Sequence, residues 1–210
     1  MLVLLVAGLI AIALAAVKGA LPYLVAIAVL AIIAVVSLLV LHRLDRGVPA
    51  KGLSDDDREA VRALLSDIRD AVARSLDSDK ARCRANVIAE NRLGRLQMIG
   101  DLRINMDGAR EWGVSMRSGQ GCAGVAWEIR EPHVAVYPFE GTDGLESDQA
   151  QLVDPDLRWI ISVPIIDNEG KPKWIVNVDG KDERSFEKLD EVVAIMKSGA
   201  AKLRPYALKA

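Results

Sequence analysis

The spacing of apolar residues divides the chain in two. Leu2–Val17 and Leu21–Leu41 are continuous apolar runs joined by "KGALP". Neither run has a polar face, a pattern that predicts helices surrounded by lipid. At about 1.5 Å rise per residue the second spans about 30 Å, the depth of a hydrocarbon core. Beyond residue 53 the pattern becomes periodic. "SDDDREAVRALLSDIRDAVARSL" places Val61, Leu64, Leu65, Ile68, Val72 and Leu76 three and four apart, predicting an amphipathic helix. Ser54 is its N-cap, and Asp55, Asp56 and Asp57 suit the positive end of the helix dipole. Alternation follows: "CRANVIAEN" and "GRLQMIG" across "NRLG" predict one hairpin, and "RWIISVPIID" and "KWIVNVDG" across "NEGKP" a second with Gly170 in its turn. Phe186, Leu189, Val192, Val193, Met196, Ala200 and Leu203 predict a closing helix from near Ser185, able to lie beside the first. The fold class is α+β, with helices on one face of an antiparallel sheet.

Charge refines this picture. Residues 1–41 hold one charged side chain, Lys18, whereas His42, Arg43, Arg46 and Lys51 follow the second run. No basic segment precedes the first run, which disfavours a secretory signal. The positive-inside rule then predicts a transmembrane helical hairpin over 1–46 (spans 2–17 and 21–41), a linker over 47–54 and a cytoplasmic domain over 55–210. The expected location is the inner (plasma) membrane, multi-pass, with the lipid bilayer as a partner. The net charge of -2 gives no reason to expect a nucleic acid polymer. Two cysteines, Cys83 and Cys122, and two histidines, His42 and His133, suit neither a disulfide framework nor a metal site, and no cofactor is expected.

"GQGCAG" at 119–124 matches the spacing of a dinucleotide-binding turn, and Glu140 stands where a ribose-binding acid would. That fold needs a buried parallel strand before the glycines and repeated βαβ units. The preceding "GVSMRS" alternates and carries Arg117, and the flanking sequence offers hairpins. The glycines are better explained as a sharp turn off a strand (Gly119, Gly121) and a close helix approach to the sheet (Gly124).

Taken together, "SMRSGQGCAGVAWEIREPHVAV", "RWIISVPIIDNEGKPKWIVNVDG" and "FEKLDEVVAIMKSGAAKL" resemble, in order, the middle, the paired strands and the closing helix of a GAF domain. The resemblance spans roughly residues 55–205. It implies a six-stranded sheet with the terminal helices behind and a ligand cavity in front. It also implies a homodimer formed through those helices.

In the two last strands the faces bearing Ser162 and Asn177 are the more polar, which makes both candidates for a pocket. Arg117, Gly121, Cys122, Trp127 and Tyr137 join them from the central segment, which forms the cavity wall in similar proteins. No positioned nucleophile or base stands out. The function expected from sequence is therefore a membrane-anchored, non-catalytic sensor of an unidentified small molecule, with a nucleotide among the options. Three alternatives are a nucleotide-activated effector that disrupts membranes, a scaffold with a filled cavity, and an enzyme like the free methionine sulfoxide reductases acting through Cys83 and Cys122.

Overall fold

The computed structural model describes residues 29–37, 52–106, 111–136, 144–183 and 187–210. The chain separates into two compact units, Met1–Asp45 and Arg46–Ala210. Of the first, residues 29–37 are helical. Among the described residues no helix is long and apolar enough to cross a membrane. This finding corrects the expected multi-pass membrane location. Most of both apolar runs lies outside the described residues.

The second unit begins with α1 (Asp55–Ser75). Its start carries a full capping box: Ser54 Oγ accepts from the Asp57 amide at 3.1 Å, and Asp57 accepts from the Ser54 amide. Val61, Leu65, Ile68 and Val72 are buried on one face, as their spacing predicts. Strands β1 (Cys83–Glu90) and β2 (Leu96–Ile104) form an antiparallel hairpin. Then come the short β3 (Ser115–Met116), helix α2 (Gly121–Ile129) and β4 (His133–Val136). One further turn of helix, α3 (Ser147–Ala150), precedes the hairpin of β5 (Trp159–Ile166) and β6 (Pro172–Gly180). Helix α4 (Leu189–Ala207) closes the chain. It starts after the expected Ser185, because residues 187–188 form a turn.

The six strands make one antiparallel sheet in the order β3-β2-β1-β6-β5-β4. Pairing β1 with β6 brings the two hairpins side by side. This leaves no parallel βαβ unit among the described strands, so the glycine motif has no dinucleotide fold around it. Helices α1 and α4 run antiparallel: Lys209, just past the end of α4, pairs with Asp57 at 2.9 Å, and Ser75 at the end of α1 reaches Glu191 at 3.0 Å. Gly199 permits their close approach, since a side chain there would strike Ile68.

Strand alternation then sorts the core. Ala85, Val87, Trp159, Ile161, Val163, Trp174, Val176 and Val178 face the helices and form the larger core with Leu65, Val72, Met196 and Leu203. The opposite face carries Ile88 and Ile175 into a smaller core with Met98, Met106, Met116 and Ala126. That arrangement is the sheet, with terminal helices behind and a covered front, that the sequence resemblance implies.

Candidate functional site

The front face of β1, β6 and β5 carries three cross-strand rows that change from apolar to charged. Ile88, Ile175 and Pro164 stand in register in the first. Asn86, Asn177 and Ser162 form the second. Arg84, Asp179 and Ile160 form the third. The register follows from two antiparallel strands with polar residues at i and i+2, "RAN" in β1 and "NVD" in β6, so that arginine meets aspartate and amide meets amide.

Above the rows lies a cavity of about 70 Å³. Met98, Met106 and Met116 line it together with Val114, Leu145 and Val153, and Cys122 and Ala123 of α2 form one wall. Methionine is unbranched and polarizable, so three of them give the lining a shape that adapts to its contents.

Arg84 anchors the charged row. Its Nε donates to Asp179 Oδ1 at 2.6 Å, and its Nη1 to Glu111 Oε1 at 2.7 Å and Asp154 Oδ2 at 3.2 Å. All of this is buried or nearly so. Burial opposes the guanidinium charge, but Asp179 and Glu111 more than offset it and hold its pKa above the usual arginine value. Three carboxylates around one guanidinium leave negative charge in surplus. Lys181 balances Asp154 by a direct ion pair. Burial, with Glu111 and Asp154 nearby, pushes the Asp179 carboxyl above the usual carboxylate range in spite of Arg84.

The amide row is only partly satisfied. Ser162 Oγ donates to Asn177 Oδ1 at 2.8 Å and lies 3.2 Å from Cys122 Sγ. Asn86 Nδ2 reaches Met106 Sδ at 3.5 Å. A thioether can only accept, so the amide nitrogen faces it and the carbonyl oxygen is left over. Asn86 Oδ1 is buried and has no hydrogen-bond partner, although the residue is only 2% exposed.

The residues singled out from sequence separate here. Cys122 and Asn177 both line the cavity, and Ser162 sits one hydrogen bond behind them. Arg117 is exposed and pairs with Glu146 at 3.3 Å, away from the lining. Gly121 is buried at the first turn of α2 with φ of 59°. Trp127 packs against the smaller core and borders a different groove, with Pro172 and Trp174. Tyr137 and Glu140 lie outside the described residues. Gly124 approaches the preceding loop rather than the sheet: a Cβ there would sit 2.6 Å from the Arg117 carbonyl oxygen, and Gly119 N donates to Gly124 O at 2.8 Å. Sequence reasoning missed Arg84, Asn86, Glu111 and the three methionines. The i, i+2 polar pair in each of two strands was the available signal.

The two thiols stand apart. Cys83 belongs to the core behind the sheet, and Cys122 to the cavity wall in front. Burial raises the pKa of both, that of Cys122 to about 12. Neither is a ready nucleophile at neutral pH. Among the described residues no group of three or more His, Cys, Asp or Glu side chains is arranged to hold a metal ion.

No family model and no curated protein matches the chain. Solved structures similar to it include a type II free methionine-R-sulfoxide reductase from Thermoplasma acidophilum. It is 17% identical, with a TM-score of 0.48, over 72% of this chain and 94% of that one. A GAF domain is likewise 17% identical, with a TM-score of 0.47, over 77% of this chain and 93% of its own. The GAF domain of an Acinetobacter phosphoenolpyruvate-protein phosphotransferase is 13% identical, with a TM-score of 0.47, over 74% and 95%. At these identities and TM-scores, no activity or ligand transfers to this chain from any of them.

Proposed function

We propose that residues 55–210 form a GAF-like sensor module that holds a small molecule in the front cavity and performs no chemistry on it. The observation that carries this reading is Asn86 Oδ1, a buried acceptor without a partner on the floor of an adaptable, mostly apolar cavity. A buried polar group left unpaired costs about 1–3 kcal/mol, and a ligand donor would recover that cost. Around it, Asn177, Ser162 and the Arg84 cluster are held by their own bonds, so the floor is organised before anything binds.

The cavity size narrows the ligand. Sites for drug-sized molecules run to about 300–1,000 Å³. A volume of about 70 Å³ favours an occupant of a few heavy atoms over a nucleotide. The reductase reading needs thiols that meet and ionise, and here they lie on opposite faces of the sheet with raised pKa values. Replacing Cys83, which lies behind the sheet, by Ser is expected to leave ligand binding within about threefold of wild type. Loss of a measurable sulfoxide reductase activity in that variant would restore the enzyme reading.

Thermal unfolding of the whole chain with a metabolite panel tests the proposal. A ligand at 100 times its Kd adds about 2.7 kcal/mol to stability, which raises Tm by roughly 5–10 °C for a domain of this size. At least one compound should produce such a rise in the wild type and a much smaller one in Asn86→Leu. A panel in which Tm never moves would overturn the reading.

A further inference from the structure

The charges on the cavity floor deepen that reading, on which this inference rests. Arg84 is the cation of the lining, and its contacts are already made to Asp179, Glu111 and Asp154. An incoming anion would have to displace one of those carboxylates. With Asp154 shared by Lys181, the lining itself sets Glu111 and Asp179 against one guanidinium. One negative charge is left without a counter-charge in a buried site, an arrangement that is stable only if paired or protonated. Asn86 Oδ1, in the adjacent row, adds an acceptor and no donor. Asn86 and the charged row therefore present an acceptor and negative charge, and the three methionines present a soft apolar lining.

We propose that the ligand is a small primary ammonium compound. Its N–H donates to Asn86 Oδ1, its charge is balanced by the Glu111 and Asp179 surplus, and its short hydrocarbon part lies against Met98, Met106 and Met116. An alcohol of the same size would satisfy Asn86 but not the charge. A carboxylate of the same size would satisfy neither.

Methionine-methyl NMR on the whole chain tests this with three probes of matched size: ethylammonium chloride, ethanol and sodium acetate. A ligand of three heavy atoms has a Kd on the order of mM at best. At pH 7 ethylammonium is expected to shift the methyl signals of Met98, Met106 and Met116 with a Kd at least tenfold below that of ethanol, while acetate leaves them unmoved. Asn86→Leu should weaken ethylammonium at least tenfold. Asp179→Asn, which removes the surplus charge, should weaken ethylammonium at least fivefold and leave ethanol within twofold. Ethanol or acetate binding as tightly as ethylammonium would overturn the choice of ligand and leave the sensor reading standing, whereas an unchanged ethylammonium affinity in Asn86→Leu would overturn both. If none of the three probes shifts any of these methyls, both readings fall.

Discussion

Replacing Asn86 by Leu separates what this residue costs from what it does. Its amide oxygen is buried without a partner, and a leucine of similar shape has nothing to leave unsatisfied. Asn86→Leu is therefore expected to raise stability of the ligand-free protein by about 1 kcal/mol, read from urea unfolding, while ligand binding is lost. A destabilised variant would mean that Oδ1 has a partner in solution. Arg84 behaves in the opposite way. Arg84→Met leaves Asp179 and Glu111 facing each other in a buried site and should cost about 3–5 kcal/mol. A loss below 1 kcal/mol would show that the cluster is hydrated rather than dry. The sequence displays each of these residues as half of an i, i+2 pair in its strand. It does not display the register that sets Arg84 opposite Asp179, 95 positions later, or the loop that brings in Glu111.

At the scale of elements, local chemistry was the more legible. The Ser54 cap, the apolar stripe of α1, both hairpins and the alternation of β5 and β6 follow from spacing alone and stand in the structure. Ser54→Ala removes one half of the capping box and should cost about 1 kcal/mol in urea unfolding. Gly124 was legible as a close approach, but its contact was not. The first turn of α2 packs back on the Arg117–Gly119 loop, a contact set by two positive-φ glycines that periodicity does not report. Gly124→Ala should cost about 1–3 kcal/mol, because the group in the way is backbone. From sequence, the polar faces of β5 and β6 made Ser162 and Asn177 candidates for a pocket. The segment packed over them decides the matter, and its fold has no periodic signature: β3 and α3 are too short to carry one.

At the scale of the whole molecule, charge couples the site to pH. Burial works against the Asp154 carboxylate, but Lys181, the Asp156 amide and Arg84 outweigh it and lower its pKa. Asp70 is lowered chiefly by Lys80. A lowered folded pKa gives stability that is present above the unfolded value of about 3.9 and lost as pH falls through the folded one. Asp179 has the opposite sign. Its raised pKa means that stability is lost as pH rises from about 3.9 to the folded value and stays lost above it. Urea midpoints from pH 3 to 8 should therefore show an acid limb common to wild type and Asp179→Asn, and a decline above pH 4 that the variant lacks. Identical profiles would contradict the surplus charge. The apolar runs were the plainest feature of the sequence and predicted two membrane spans. Among the described residues no helix is long and apolar enough to make one.

The central claim is that the cavity over Asn86 and Asn177 holds a small molecule. Native mass spectrometry of the whole chain, purified without denaturation and then exposed to a panel of small amines, alcohols and carboxylates, tests this most directly. The wild type should carry a one-to-one adduct of low mass that Asn86→Leu does not. A wild type that stays bare throughout, or an adduct that Asn86→Leu retains in full, would contradict it.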